Sequence, residues 1–145
     1  MRAFLDTSVL VAAFYVDHPH HEPSFRLLAD SKKGSACCAL HSLAEVYATL
    51  TSMPQPRRVA GDQALLFIGS IRERLTLVGL SERDYAQMLE SSAAGSVLGG
   101  GIYDAILGYC ALKAGAQTIY TWNTRDFLRL PSAIASRVRR PDEAG

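Results

Sequence analysis

The sequence predicts an α/β fold in which a mainly parallel sheet of four to five strands is covered by helices on both faces. Three observations carry that prediction. Short runs such as Ala3-Phe4-Leu5 and Ala36 to Leu40 are almost wholly apolar, which suits strands buried on both sides. Segments with helical spacing of apolar residues stand between them, so strand and helix alternate. The chain has 145 residues, 48% hydrophobic and 20% charged, with no repeat or low-complexity tract, as expected of a single globular domain over residues 1–145 with its own core.

The elements follow in order. Residues 2–5 form the first strand, Asp6-Thr7-Ser8 supply turn and cap residues, and Val9 to Val16 form a helix. A second helix spans about Glu22 to Asp30 and stops at Lys32-Lys33-Gly34. Ala36 to Leu40 is the second strand. Ser42 opens a helix with Leu43, Val46, Tyr47 and Leu50 on one face, ended by Pro54 and Pro56. A further helix runs from about Val59 to Leu75, and Thr76 to Leu80 is the third strand. Ser81-Glu82 starts a helix through Leu89, and Ala94 to Gly101 is a loop. Ile102 to Ala114 is an apolar helix capped by Gly115, and Thr118 to Thr121 is the fourth strand. Asn123 to Leu130 is a loop or short helix, and a fifth strand lies near Val138.

The net charge of +1 gives no global basic field, and the basic residues fall in local pairs such as Arg57-Arg58 and Arg139-Arg140. Composition therefore does not favour a nucleic-acid ligand by itself. Cys37, Cys38 and Cys110 have no metal-ligand spacing and read as buried thiols of a reducing compartment. Asp6 interrupts the apolar N-terminal run where a secretory leader would continue, and no apolar stretch is long enough to span a bilayer, so a cytoplasmic location away from membranes is expected.

Parallel α/β sheets bind ligands beyond the carboxyl ends of their strands, near a topological switch point. Asp6 ends the first strand and Asp126 lies just past the fourth. Glu45 and Asp104 stand in the first turns of helices. Each acid also has a plainer reading. Asp6 suits an N-cap, Ser42-Leu43-Ala44-Glu45 fits a capping box, and Asp126 beside Arg125 suits a loop ion pair. Asp104 is harder to explain, because a carboxylate among Ile102, Ala105, Ile106 and Tyr109 on an interior helix is costly without a partner.

The acids and their neighbours resemble those of the PIN-domain ribonucleases, in particular the VapC-type toxins of type II toxin–antitoxin systems. Leu5-Asp6-Thr7-Ser8, Glu45, Tyr103-Asp104-Ala105 and the Thr121-Trp122-Asn123-Thr124-Arg125-Asp126-Phe127 segment occur in that family's order and spacing. The last resembles its T-x-N-x-x-D-F element. The resemblance implies a PIN-like three-layer α/β/α sandwich and an endoribonuclease that holds one or two Mg²⁺ or Mn²⁺ ions on Asp6, Glu45, Asp104 and Asp126. It further implies that the protein pairs with a small antitoxin and forms a homodimer; at such a site Thr121 and Asn123 are expected to orient Asp6 or Asp126, and Thr7 and Ser8 to offer backbone N–H groups to the substrate phosphate at a helix N-terminus. Two departures bear on a second ion: Gly99-Gly100-Gly101 supplies no extra acid before Asp104, and Trp122 stands where the family often has Arg.

Other classes find less support. There is no nucleotide-binding glycine motif, and a haloacid-dehalogenase-like phosphatase would need an acid where Ser8 stands. Asp17-His18-Pro19-His20-His21-Glu22 lacks regular helical spacing and reads as a solvated loop opening a helix rather than a zinc site. Two rivals use the same fold: a nuclease acting in RNA processing or on DNA without an antitoxin, and a binding protein without catalysis.

Overall fold

The computed structural model describes residues 1–144. Five strands, β1 (Ala3–Leu5), β2 (Ala36–Ala39), β3 (Thr76–Val78), β4 (Thr118–Tyr120) and β5 (Val138–Arg139), form one sheet in the order β3-β2-β1-β4-β5. Every pairing is parallel, so the sheet is wholly rather than mainly parallel. The helices are α1 (Thr7–Phe14), α2 (His21–Ala29), α3 (Leu40–Ser52), α4 (Gly61–Arg74), α5 (Glu82–Ala94), α6 (Gly101–Lys113), α7 (Thr124–Phe127) and α8 (Ser132–Ala135). None of the described residues forms a helix long and apolar enough to cross a membrane.

The two-residue period of a strand sends neighbouring side chains to opposite faces, and two cores result. Phe4 and Cys37 point into one with Ala105, Ile106, Phe127 and Ile134, the layer of α6 to α8. Leu5 and Cys38 point into the other with Leu10, Val46, Leu50 and Ile71, the layer of α1, α3 and α4. This is the three-layer α/β/α sandwich. The adjacent thiols Cys37 and Cys38 are thus buried back to back, and burial raises them to about 11 and about 12. At Gly108, an added Cβ would lie 3.0 Å from two side-chain carbons of Ile134, so a larger residue there would make the α6–α8 contact give by a few tenths of an ångström. Gly115, with φ +68°, closes the end of α6.

The sheet order places the topological switch point between β1 and β4. From β1 the chain builds outward through β2 and β3, then returns to the other side of β1 as β4. Leu5 is in register with Tyr120, so the residues that follow, Asp6 and Thr121, leave the sheet side by side at its carboxyl edge.

Several boundaries differ from expectation, each for a local reason. Helix α1 begins at Thr7 because Asp6 is its N-cap, and it ends at Phe14, where Tyr15 turns extended. Helix α3 starts at Leu40 directly from the strand, with Ala39 as N-cap, so Ser42 lies inside the helix and the expected capping box with Glu45 is not made. Ser81 does form a capping box with Asp84 at the start of α5. The short helix α8, absent from the sequence reading, is fixed by burial of Ile134 against α6.

Candidate active site

Asp6 is only 2% exposed and is wired into the β1–β4 crevice. The Thr121 hydroxyl donates to its Oδ2 at 2.7 Å, the Ser8 hydroxyl at 2.8 Å, and the Ser8 backbone N–H at 3.4 Å. The donors are themselves held: the Trp122 N–H donates to Ser8 Oγ at 3.0 Å and the Asn123 N–H to Thr121 Oγ1 at 2.9 Å. All three bonds to Asp6 fall on one oxygen. The Asp6 carboxyl nevertheless lines the cleft. Burial raises the Asp6 carboxyl above its ordinary range, against the hydrogen bonds from Thr121 and Ser8 that lower it.

Glu45 reaches the same cleft from α3. The Thr7 hydroxyl donates to its Oε1 at 2.8 Å and lies 2.9 Å from Ser42 Oγ. The Thr7 hydroxyl thus turns its single hydrogen toward Glu45 Oε1 and Ser42 Oγ, the Glu45 contact being the shorter. The Ser-x-x-Glu pattern is therefore satisfied by a residue 38 positions away rather than by a helix cap.

Asp104, in the first turn of α6, is half-buried and Asp126, on α7, is exposed. Neither accepts a hydrogen bond from a side chain, and no Lys or Arg pairs with either among the described residues. The ion pair expected between Asp126 and Arg125 is not formed. Burial raises Asp104 to about 6, helped by the charges of Asp6, Asp126 and Glu45. The four acids thus sense one another across the cleft. No three His, Cys, Asp or Glu among the described residues are gathered closely enough to enclose an ion. Carboxylates that face one cleft unneutralised repel one another.

Two recesses meet at Asp104. One, of about 480 Å³, is lined by Asp6, Thr7, Ser8, Glu45, Asp104 and Asn123, with His18, His20 and Trp122 on its wall. The other, of about 460 Å³, lies between Asp104, Asp126 and Arg129 and the Ser96–Gly101 loop. Asn123 lines the first recess, but its side chain bonds neither Asp6 nor Asp126; its backbone carbonyl instead accepts from the Asp126 N–H at 3.1 Å.

Sequence reasoning missed the wall of the first recess. The His20 ring stacks on Trp122 with centroids 3.7 Å apart and planes 9° from parallel. Trp122 Nε1 donates to the buried Ser24 Oγ at 2.8 Å, and the Arg140 guanidinium lies 5.3 Å from the indole centroid. The His18-Pro19-His20-His21 segment is therefore not merely a solvated loop. The sequence held one hint, an aromatic residue immediately beside Asn123 where a charged one would have done, but nothing local pointed to His20.

A family model described as PIN domain matches residues 3–132. The chain is 35% identical over 121 residues to Ribonuclease VapC40 of Mycobacterium tuberculosis, covering 83% of this chain and 84% of that one. Among solved structures, VapBC2 from Rickettsia felis, bound to a DNA fragment from its promoter, superposes with a TM-score of 0.66 at 19% identity, over 97% of this chain and 98% of that one. Mycobacterium tuberculosis VapC20, a sarcin-ricin loop cleaving toxin, superposes with a TM-score of 0.67 at 20% identity, over 86% of this chain and 92% of that one. At such identities the two superpositions show the fold.

Proposed function

The chain belongs to the PIN-domain family, and from that premise we propose that it is an endoribonuclease supported by Mg²⁺ or Mn²⁺ and acts as the toxin of a toxin–antitoxin pair. The observation that carries the reading is Asp104. Its half-buried carboxyl is raised to about 6 by burial and by three other acids, and no basic side chain neutralises it.

The donor set suits the proposed ion. Four carboxylates and nearby hydroxyls are hard oxygen ligands, which favour Mg²⁺ or Mn²⁺ over zinc. Asp6 Oδ1, Asp104 and Asp126 would hold one or two such ions, and Glu45 would complete the set or orient the attacking water. A bound ion supplies Lewis-acid stabilisation of charge on the phosphate and lowers the pKa of water. The chain's own residues do the rest. Thr121 and Ser8 fix the rotation of Asp6 by holding its Oδ2, and Thr7 fixes Glu45. Asn123, exposed at the rim, is placed to meet the RNA.

Similarity to a protein named as a ribonuclease supports RNA as the substrate. Similarity in fold to VapBC2 supports a cognate antitoxin as partner. Homodimerisation and a cytoplasmic location belong to the same reading; the three buried free thiols accord with the latter.

The test is cleavage of tRNA and ribosomal RNA by purified protein with Mn²⁺ or Mg²⁺, at low and moderate salt because phosphate contacts weaken with salt. Discrete cuts lost with EDTA and with Asp104→Asn are expected. Cleavage indifferent to both would remove the acids from the chemistry.

A further inference from the structure

Counting hydrogen-bond donors in the Asp6 recess shows which of them remain free for a substrate. The Thr121 and Ser8 hydroxyls and the Ser8 N–H are committed to Asp6, and the Thr7 hydroxyl to Glu45. The Trp122 N–H is committed to Ser8, the Trp122 indole N–H to Ser24, and the Asn123 N–H to Thr121. No Lys or Arg is among the described residues that line the recess. A polyanion entering here meets three acids with the surrounding hydroxyls already turned toward carboxylates.

The donors left are the imidazoles and the rim groups Asn123 and Thr49. His18 Nδ1 accepts the His20 backbone N–H at 3.0 Å, so in the neutral ring the hydrogen sits on Nε2, which is therefore a donor. The His20 ring nitrogens bond nothing among the described residues, while its face lies flat on Trp122. The indole is held by Ser24 and engaged by Arg140, so it fixes the imidazole at the cleft wall. The His18 and His20 rings lie 5.6 Å apart, close enough for both to face one phosphate group.

We propose that His18 and His20, seated on Trp122, hold the RNA phosphodiester next to the one being cut. The proposal rests on the ribonuclease reading and adds the strand-binding residues that the acids cannot supply. Imidazole N–H groups donate to phosphate oxygens whether the rings are neutral or charged, and they offset the repulsion between the strand and the acids. The pair positions the substrate and takes no part in bond breaking.

The experiment compares the intact protein with His18→Ala/His20→Phe, in which phenylalanine keeps the stack on Trp122 and removes the ring nitrogens. The probe is a mixed-sequence single-stranded RNA 12-mer with a fluorescent 5′ label, cut with Mn²⁺. Expected is a KM raised about tenfold, the scale of a lost hydrogen bond to a charged group, with kcat within about twofold. Trp122 is the only tryptophan, so an emission maximum at unchanged wavelength, whatever the intensity, reports that the indole keeps its surroundings in the variant. Unchanged KM, or a fall in kcat alone, overturns the proposal and leaves the ribonuclease reading standing. An intact protein that cuts no RNA overturns that reading and this proposal with it. Should the double variant fail to fold, His20→Phe alone, which removes ring nitrogens while keeping an aromatic face on Trp122, carries the same test.

Discussion

The two sides of the cleft are built in opposite ways. On the sheet side, Asp6 sits in the β1–β4 crevice with one oxygen taking three hydrogen bonds from groups that are themselves held. On the helix side, Asp104 and Asp126 have no such partners, one half-buried and one exposed, beside a loop in which Ser96 and Gly99 both take positive φ. One side is oriented before any ligand arrives, whereas the other is held in check only by charge. The difference teaches how a site of like charges can exist in a stable fold: a fixed anchor is satisfied by neutral donors, and the remaining acids stay where solvent still reaches them.

The largest effect should come from the anchor. Asp6→Asn is expected to abolish cleavage while the metal-free protein melts at the same temperature or higher. The amide oxygen can still accept from Thr121 and Ser8, and burial of a charge is relieved. Paired melting curves without metal check this. A large loss of stability would mean that Asp6 is chiefly a cap, a role worth about 0.5–2 kcal/mol.

Next comes the support of the anchor. Thr121→Val removes the shortest bond to Asp6 without touching a substrate group, and activity should fall about 10–100-fold, as for the loss of a group that orients a metal ligand. Stability should fall by about 1 kcal/mol. Activity equal to that of the intact protein would show that Asp6 needs no such orientation. On the opposite side, Asp126→Asn should weaken Mn²⁺-supported activity by only about tenfold, because an exposed, unheld carboxylate contributes less to a preformed site. A titration of rate against Mn²⁺ concentration measures it.

The smallest effect is on stability against pH. The Asp104 carboxyl stands at about 6 in the folded protein against an ordinary 3.8. Between those values the folded chain binds more protons than the unfolded one, so stability falls as pH rises through that window and levels off above it. Melting curves of metal-free protein from pH 4 to 7 should show that decline, and Asp104→Asn should flatten it. A slope unchanged by the substitution would place its origin elsewhere.

The sequence carried the alternation of strands and helices because buried parallel strands are apolar throughout and their helices are not. It also placed Asp6 at the end of the first strand, since a short apolar run followed by an acid is a local signal, and Asp126 just past the fourth. Contacts that close over long separations were not legible. Glu45 reads as a capping residue until Thr7 is brought beside it by the pairing of β1 with β2. His20 and Trp122 are 102 positions apart, and their stack depends on α2 folding back toward the edge of β4. The absence of an Asp126–Arg125 bridge was equally hidden, because adjacent residues on a short helix point in different directions.

The most direct test of the claim that these acids form a cation site is a calorimetric titration of Mn²⁺ into metal-free protein, beside Asp104→Asn. One or two ions bound to the intact chain, with binding weakened at least tenfold in the variant, is the predicted result. Equal binding by both proteins, or none by either, would contradict it.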